Sequence, residues 1–137
     1  MTKLLFYILA SESQQERFHF LARLTHQVWH AGHKVWIACD TEQKLEISEA
    51  LWAFKSDSFL AHDLEELESS QILLSTQAPK TESFDVWINV SNAFHTPPES
   101  VYKIVEIIDA SEPCKELARL RYRQYQGLGL EPITHKL

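Results

Sequence analysis

Three histidines, His26, His30 and His33, stand at i, i+4 and i+7, a spacing with which one helix face could offer three imidazoles to zinc. The HxxxH pair lacks the glutamate that a metalloprotease carries inside that motif, and no nearby cysteine or carboxylate completes a ligand set. The plainer reading is a polar helix face flanking Trp29. Nucleophilic catalysis finds no better footing. Neither Cys39 nor Cys114 has a recognisable partner, the chain holds no GxSxG, and Glu65, Glu66 and Glu68 read as a solvated run of charge. For phosphate chemistry the turn after the first strand matters most, and it reads Ala10-Ser11-Glu12-Ser13-Gln14, with no glycine. Glu12 and Glu16 would face an incoming phosphate, and no GxxxxGKS/T occurs anywhere. Asp40 follows the second strand, where a ribose-binding acid belongs, but without a glycine loop it is more simply a helix N-cap.

Two constellations remain. Lys115, Arg119 and Arg123 stand at i, i+4 and i+8 with Tyr122 beside them, so one helix face carries three cations and a ring. That is either a solvated basic stripe or an anion clamp, with Arg119 as the fork for a carboxylate. The other is Leu51-Trp52-Ala53-Phe54 followed by Ser58-Phe59-Leu60-Ala61-His62. Large aromatics at a helix end and in the next loop are either core or an exposed interaction patch.

These residues need elements to hold them. Leu4 to Ala10 reads as a buried strand, and Ser13 to about Ala31 as a helix with Phe18, Leu21, Val28 and Trp29 at helical spacing. Gly32 sits where a left-handed C-cap belongs. Lys34 to Cys39 is a second strand, and Asp40 or Thr41 caps a second helix to about Phe54. Asp57 to Ser70 reads as an acidic loop with a short turn of helix. Gln71–Ser75 and Asp85–Val90 are further strands about a turn at Ala78-Pro79-Lys80. Pro97-Pro98 opens a short helix or turn before a strand over Tyr102–Ile108. Ser111 then caps a helix to about Gln126, with Pro113 in its first turn, and Gly127 and Gly129 end it, leaving a short tail. Alternating strands and helices predict an α/β fold: a single Rossmann-like domain over 1–137, with a largely parallel twisted sheet flanked by helices and no nucleotide-binding loop.

The totals agree. At 137 residues, 45% apolar and 23% charged, the chain can bury a core without staples. The two cysteines have no CxxC spacing, which favours a reduced, cytoplasmic protein. No apolar run approaches the roughly 18 residues of a membrane span, and the apolar N-terminus opens into helix-start chemistry rather than a cleavage region. A net charge of −6 opposes general binding to nucleic acid. The charge is uneven: residues 1–110 hold 8 Lys/Arg against 16 Asp/Glu, residues 111–137 hold 5 against 3. A basic segment on an acidic body points to a local anionic partner.

Three segments in order carry a family resemblance. They are Val35-Trp36-Ile37-Ala38-Cys39-Asp40; then Glu49-Ala50-Leu51-Trp52 with Asp57-Ser58-Phe59-Leu60-Ala61-His62; and Leu117-Ala118-Arg119-Leu120-Arg121-Tyr122-Arg123-Gln124-Tyr125. With these the chain resembles the chi subunit family of bacterial DNA polymerase III over nearly its whole length. The resemblance implies a non-catalytic replisome adaptor without cofactor or metal, meeting DNA only indirectly. It implies that Ile108, Lys115, Arg119, Tyr122 and Arg123 receive the acidic C-terminal tail of single-stranded DNA-binding protein. The tail's terminal Phe would sit near Ile108 and Tyr122, its α-carboxylate at Arg119, and the preceding aspartates near Lys115 and Arg123. It also implies that Trp52 and Phe59 face the psi subunit of the clamp-loader complex, a surface for which an XPD-like helicase competes. Ala61 departs from the family's usual proline before His62, and Leu64-Glu65-Glu66-Leu67-Glu68 replaces a stretch that typically contains Gly or Pro. The competing expectations are a nucleotide- or metal-dependent hydrolase on the same fold, and direct nucleic-acid binding through the basic helix.

Overall fold

In a computed structural model, which describes residues 2–54, 61–67 and 69–137, the chain builds one six-stranded, wholly parallel sheet. In chain order the elements are β1 (Lys3–Ile8), α1 (Gln14–His30), β2 (Val35–Ala38), a 3-10 turn (Thr41–Gln43), α2 (Lys44–Trp52), β3 (Ile72–Ser75), β4 (Val86–Asn89), β5 (Lys103–Ile108), α3 (Glu112–Gly127) and β6 (Pro132–Lys136). The strands lie in the order β3-β2-β4-β5-β1-β6.

Local chemistry sets the element ends. The Ser13 hydroxyl accepts the Glu16 amide at 3.2 Å and starts α1. Gly32, at φ +99°, turns the chain out of it in a conformation that L side chains resist. Strand alternation sorts the core into two layers. Val35, Ile37, Val105 and Ile107 face α1 and α2, packing with Phe18, Leu21, Ile47 and Leu51. Trp36, Trp87, Ile104 and Ile108 face the other way, toward Ala118 and Tyr125 of α3.

In open parallel sheets a ligand crevice forms where neighbouring strands send their helices to opposite faces. Here those strands are β1, leading into α1, and β5, leading into α3. The neighbouring pair, β5 and β4, has its carboxyl ends tied to α1 from within. Arg17, in the first turn of α1 and only 3% exposed, donates through Nε to the Ile107 carbonyl (2.9 Å) and through Nη2 to the Val90 carbonyl (3.0 Å). Gln43 Nε2 donates to the same Val90 oxygen at 2.9 Å.

The structure corrects several expectations. The tail after α3 is a strand: β6 pairs in parallel with β1 along its length, and the Leu137 amide donates to the Ile8 carbonyl at 2.9 Å. Trp29 is 40% exposed; Val28 takes the inward position. The expected helical turn in 57–70 is absent from the described residues there, where Asp63 instead bridges Leu73 and covers the edge of β3. Ser111 stands at the N-cap of α3 with no capping bond of its own, and its hydroxyl donates to Asp109 Oδ1.

Leu21 is wholly buried and Leu120 is 53% exposed, so truncating each to alanine should separate core from surface. We expect Leu21→Ala to cost about 2–5 kcal/mol by urea denaturation and Leu120→Ala less than about 0.5 kcal/mol. Equal costs would contradict the assigned inward face.

Candidate functional site

A groove of about 770 Å³ runs between α3 and the β1–β6 edge of the sheet. Its floor comes from strand alternation: Phe6 and Ile8 on β1 and Ile108 on β5 all point toward α3. Tyr122 closes the floor from the helix, its ring 5.3 Å from that of Phe6. Lys115, Arg119 and Arg123 line the same groove from α3, while Thr134 and Lys136 line it from β6. All five residues expected to share a site, Ile108, Lys115, Arg119, Tyr122 and Arg123, are therefore neighbours around one concavity.

The helix phase explains this. Ala118, Arg121 and Tyr125 are the buried residues of α3, which turns the 115–119–122–123 side toward the groove. Among the described residues, neither Lys115, Arg119 nor Arg123 forms an ion pair. Three cations uncompensated by carboxylates, around an apolar floor, suit a small ligand that is both anionic and apolar.

Beneath the groove, α3 meets the sheet through a buried polar network. Glu106, at 0% exposure, lies between Ile104 and Ile108 on β5. Its carboxylate accepts Arg121 Nε at 3.1 and 3.2 Å, Tyr125 Oη at 2.8 Å and Asn89 Nδ2 at 2.9 Å, and Arg121 Nη2 stands 3.0 Å from Oε1. Burial, then the charge of Glu106 and its hydrogen bond, push the Tyr125 phenol far above its ordinary pKa, so it stays a neutral donor.

The second expected surface lies on the other side of the sheet, at the end of α2. Leu51 is core, Phe54 packs against the α1–α2 core and His26, and Trp52 is 49% exposed with its ring 5.3 Å from His62. His62 is tied to α2 through Ser48 Oγ, 2.8 Å from Nε2. The two readings of this stretch thus divide by residue: Leu51 and Phe54 are packing, Trp52 is surface. Phe59 lies outside the described residues.

The histidine series does not assemble. His26 and His30 stack with centroids 5.7 Å apart, whereas His33 lies beyond the helix and holds Asp85 at 2.7 Å. Among the described residues no group of three His, Cys, Asp or Glu is placed to hold a metal ion. Glu66 is more than a solvated charge, since its carboxylate accepts the Lys80 and Thr81 amides at 2.6 and 2.9 Å and fastens that loop. Phe6, Ile8, Thr134 and Lys136 are among the groove residues that sequence reasoning missed. The alternation of Phe6 and Ile8 along β1 was a usable signal; β6 offered none.

The family model for the DNA polymerase III chi subunit, HolC, matches residues 1–132. The chain is similar to the DNA polymerase III subunit chi of Pseudomonas aeruginosa, 26% identical with 100% of this chain and 98% of the relative covered. It is 28% identical to the subunit chi of Escherichia coli, over 96% of this chain and 97% of the relative. The subunit chi of Haemophilus influenzae is 30% identical, over 96% and 95%. A family match over nearly the whole length decides the matter: the chain belongs to the DNA polymerase III chi subunit family, among the accessory subunits of the replicative polymerase.

Proposed function

We propose that this chain, acting as one chi-like domain over residues 1–137, is a non-catalytic, cytoplasmic adaptor within the replisome. One surface takes the acidic C-terminal tail of single-stranded DNA-binding protein, the other a psi-type subunit of the clamp-loader complex, and DNA is met only through these partners. The observation that carries the reading is the groove: an apolar floor of Phe6, Ile8, Ile108 and Tyr122, with Lys115, Arg119 and Arg123 uncompensated along one wall. A terminal phenylalanine brings the two chemistries that such a site rewards. Its ring covers the floor, worth about 1.5–3 kcal/mol. Its α-carboxylate meets the planar fork of Arg119, and preceding aspartates lie against Lys115 and Arg123.

The sum of one ring and a few exposed charge contacts is modest. Micromolar affinity corresponds to about 8 kcal/mol, and exposed charge contacts weaken with salt. A fluorescent peptide carrying the acidic, Phe-terminated tail should bind saturably, weaken between low and moderate salt, and lose at least about tenfold in affinity with Arg119→Ala. Wild-type silence, or binding indifferent to Arg119, would remove the tail from this groove.

For the second surface the supporting observation is Trp52, a half-exposed indole at the end of α2 on the face opposite the groove. An aromatic anchor of this kind is a common hot spot, and an XPD-like helicase would compete for the same place. Trp52→Ala should lower the affinity for a psi-type subunit by at least about tenfold in calorimetry and leave the tail peptide's affinity unchanged. Unchanged psi binding would move that interface elsewhere.

Against a nucleotide enzyme on the same fold stands the turn after β1, Ala10-Ser11-Glu12-Ser13-Gln14, which has no glycine to admit a phosphate and carries Glu12. No described helix is long and apolar enough to cross a membrane. Calorimetry with ATP or NAD, and assays with a generic phosphoester, should give neither binding heat nor turnover. Micromolar nucleotide binding would favour the hydrolase reading instead.

A further inference from the structure

Behind the groove lies a buried group of side chains that do not line it. We propose that Glu106 and Arg121, with Tyr125, are positioning residues that fix the roll of α3 about its axis and thereby aim Arg119 and its neighbours into the groove. The inference rests on reading that groove as the tail site.

The argument begins with how little apolar surface α3 gives the sheet. Of its sixteen residues only Ala118, Arg121 and Tyr125 are buried, and Leu120 points into solvent. Beyond Ala118 its apolar contacts are the partly buried Cys114 and the rings of Tyr122 and Tyr125 against Phe6 and Phe94. So short a ridge leaves the rotation of the helix loosely chosen. Polar pins fix it. Arg121 and Tyr125, one turn apart at i and i+4, both bond the single carboxylate of Glu106. Asn89 Nδ2 holds that carboxylate from β4, and Asn89 is itself anchored to the Ala93 carbonyl and the Ser91 hydroxyl. Two pins on one fixed anchor define an azimuth.

The groove residues stand on the neighbouring face of the same helix and inherit that azimuth. A side-chain tip about 6 Å from the axis moves by about 2 Å when the helix rolls 20°. That distance separates a carboxylate fork from a miss, since charge-assisted bonds need donor–acceptor distances near 2.8 Å. Adhesion alone does not call for this arrangement. A well-packed apolar pair of similar volume commonly holds a helix as firmly as a buried ion pair, and the Arg121 Nη1 is buried here with no partner. What the charged pair adds is direction.

The test separates direction from adhesion. In the full chain, the triple variant Glu106→Leu/Arg121→Met/Tyr125→Phe replaces the network with apolar groups of similar size. We expect a thermal midpoint at or above that of the wild type and a Kd for the acidic, Phe-terminated peptide at least tenfold weaker. Tyr125→Phe alone removes one pin, keeps the ring, and decides the matter if the triple variant does not fold. It should weaken the peptide two- to fivefold. A folded variant that binds the peptide with wild-type affinity overturns the inference, whatever its midpoint. If Arg119→Ala leaves the wild-type peptide affinity untouched, the tail site itself is wrong; if Arg119→Ala weakens binding and the network variants do not, only the positioning role falls.

Discussion

A carboxyl group in the middle of a parallel sheet is costly unless its oxygens find hydrogen-bond partners, and Glu106 on β5 imposes that requirement on the rest of the molecule. Meeting it takes Arg121 and Tyr125 from α3 and Asn89 from β4. Once these are committed, the approach of α3 is fixed, and so is the start of the loop after β4, where Asn89 Oδ1 receives the Ser91 amide and hydroxyl. The groove follows from the same constraint. A helix that spends positions 118, 121 and 125 on the sheet has positions 115, 119, 122 and 123 left for the wall beside β1 and β6.

The two faces of the sheet are built differently, and the difference matches the adaptor reading. The α1–α2 face is an ordinary apolar layer, closed by Phe18, Leu21, Ile47 and Leu51. The α3 face mixes rings with buried polar groups, and beside α3 the side chains of Phe6, Ile8 and Ile108 line an open groove. The carboxyl ends of β4 and β5 are tied to α1 by Arg17, while those of β1, β5 and β6 open onto the groove. On a fold often used for nucleotide chemistry, the proposed tail groove lies at the carboxyl ends of β1 and β5, where such sheets take their ligands, and the half-exposed Trp52 lies on the opposite face.

Much of the fold was legible because its signals are local. The apolar run of β1, the cap at Ser13, the glycine at position 32 and the return to apolar residues at β2 each specify an element within a few residues. β6 was not legible, because most of its side chains are exposed and its place comes from backbone pairing with β1, well over a hundred residues away. Spacing could not choose between Val28 and Trp29 for the inward position, since adjacent residues straddle the edge of a helix face. The site divides in the same way. The cations of α3 announce themselves at helical spacing, whereas nothing near Phe6 or Thr134 says that α3 will lie beside them. Glu106 inside an apolar strand was a visible anomaly, but its partners become known only when α3 is docked.

The central claim is that the acidic tail occupies the α3–β1–β6 groove, and the most direct measurement is residue-resolved. Amide and indole resonances of the isotopically labelled chain would be followed by NMR as the unlabelled tail peptide is added. The account predicts saturable shifts at Phe6, Ile8 and Ile108, along Lys115 to Arg123, and at Thr134 and Lys136 on β6, with the Trp52 indole unmoved. Shifts confined to Trp52 and α2, or none at a saturating excess of peptide, would contradict it.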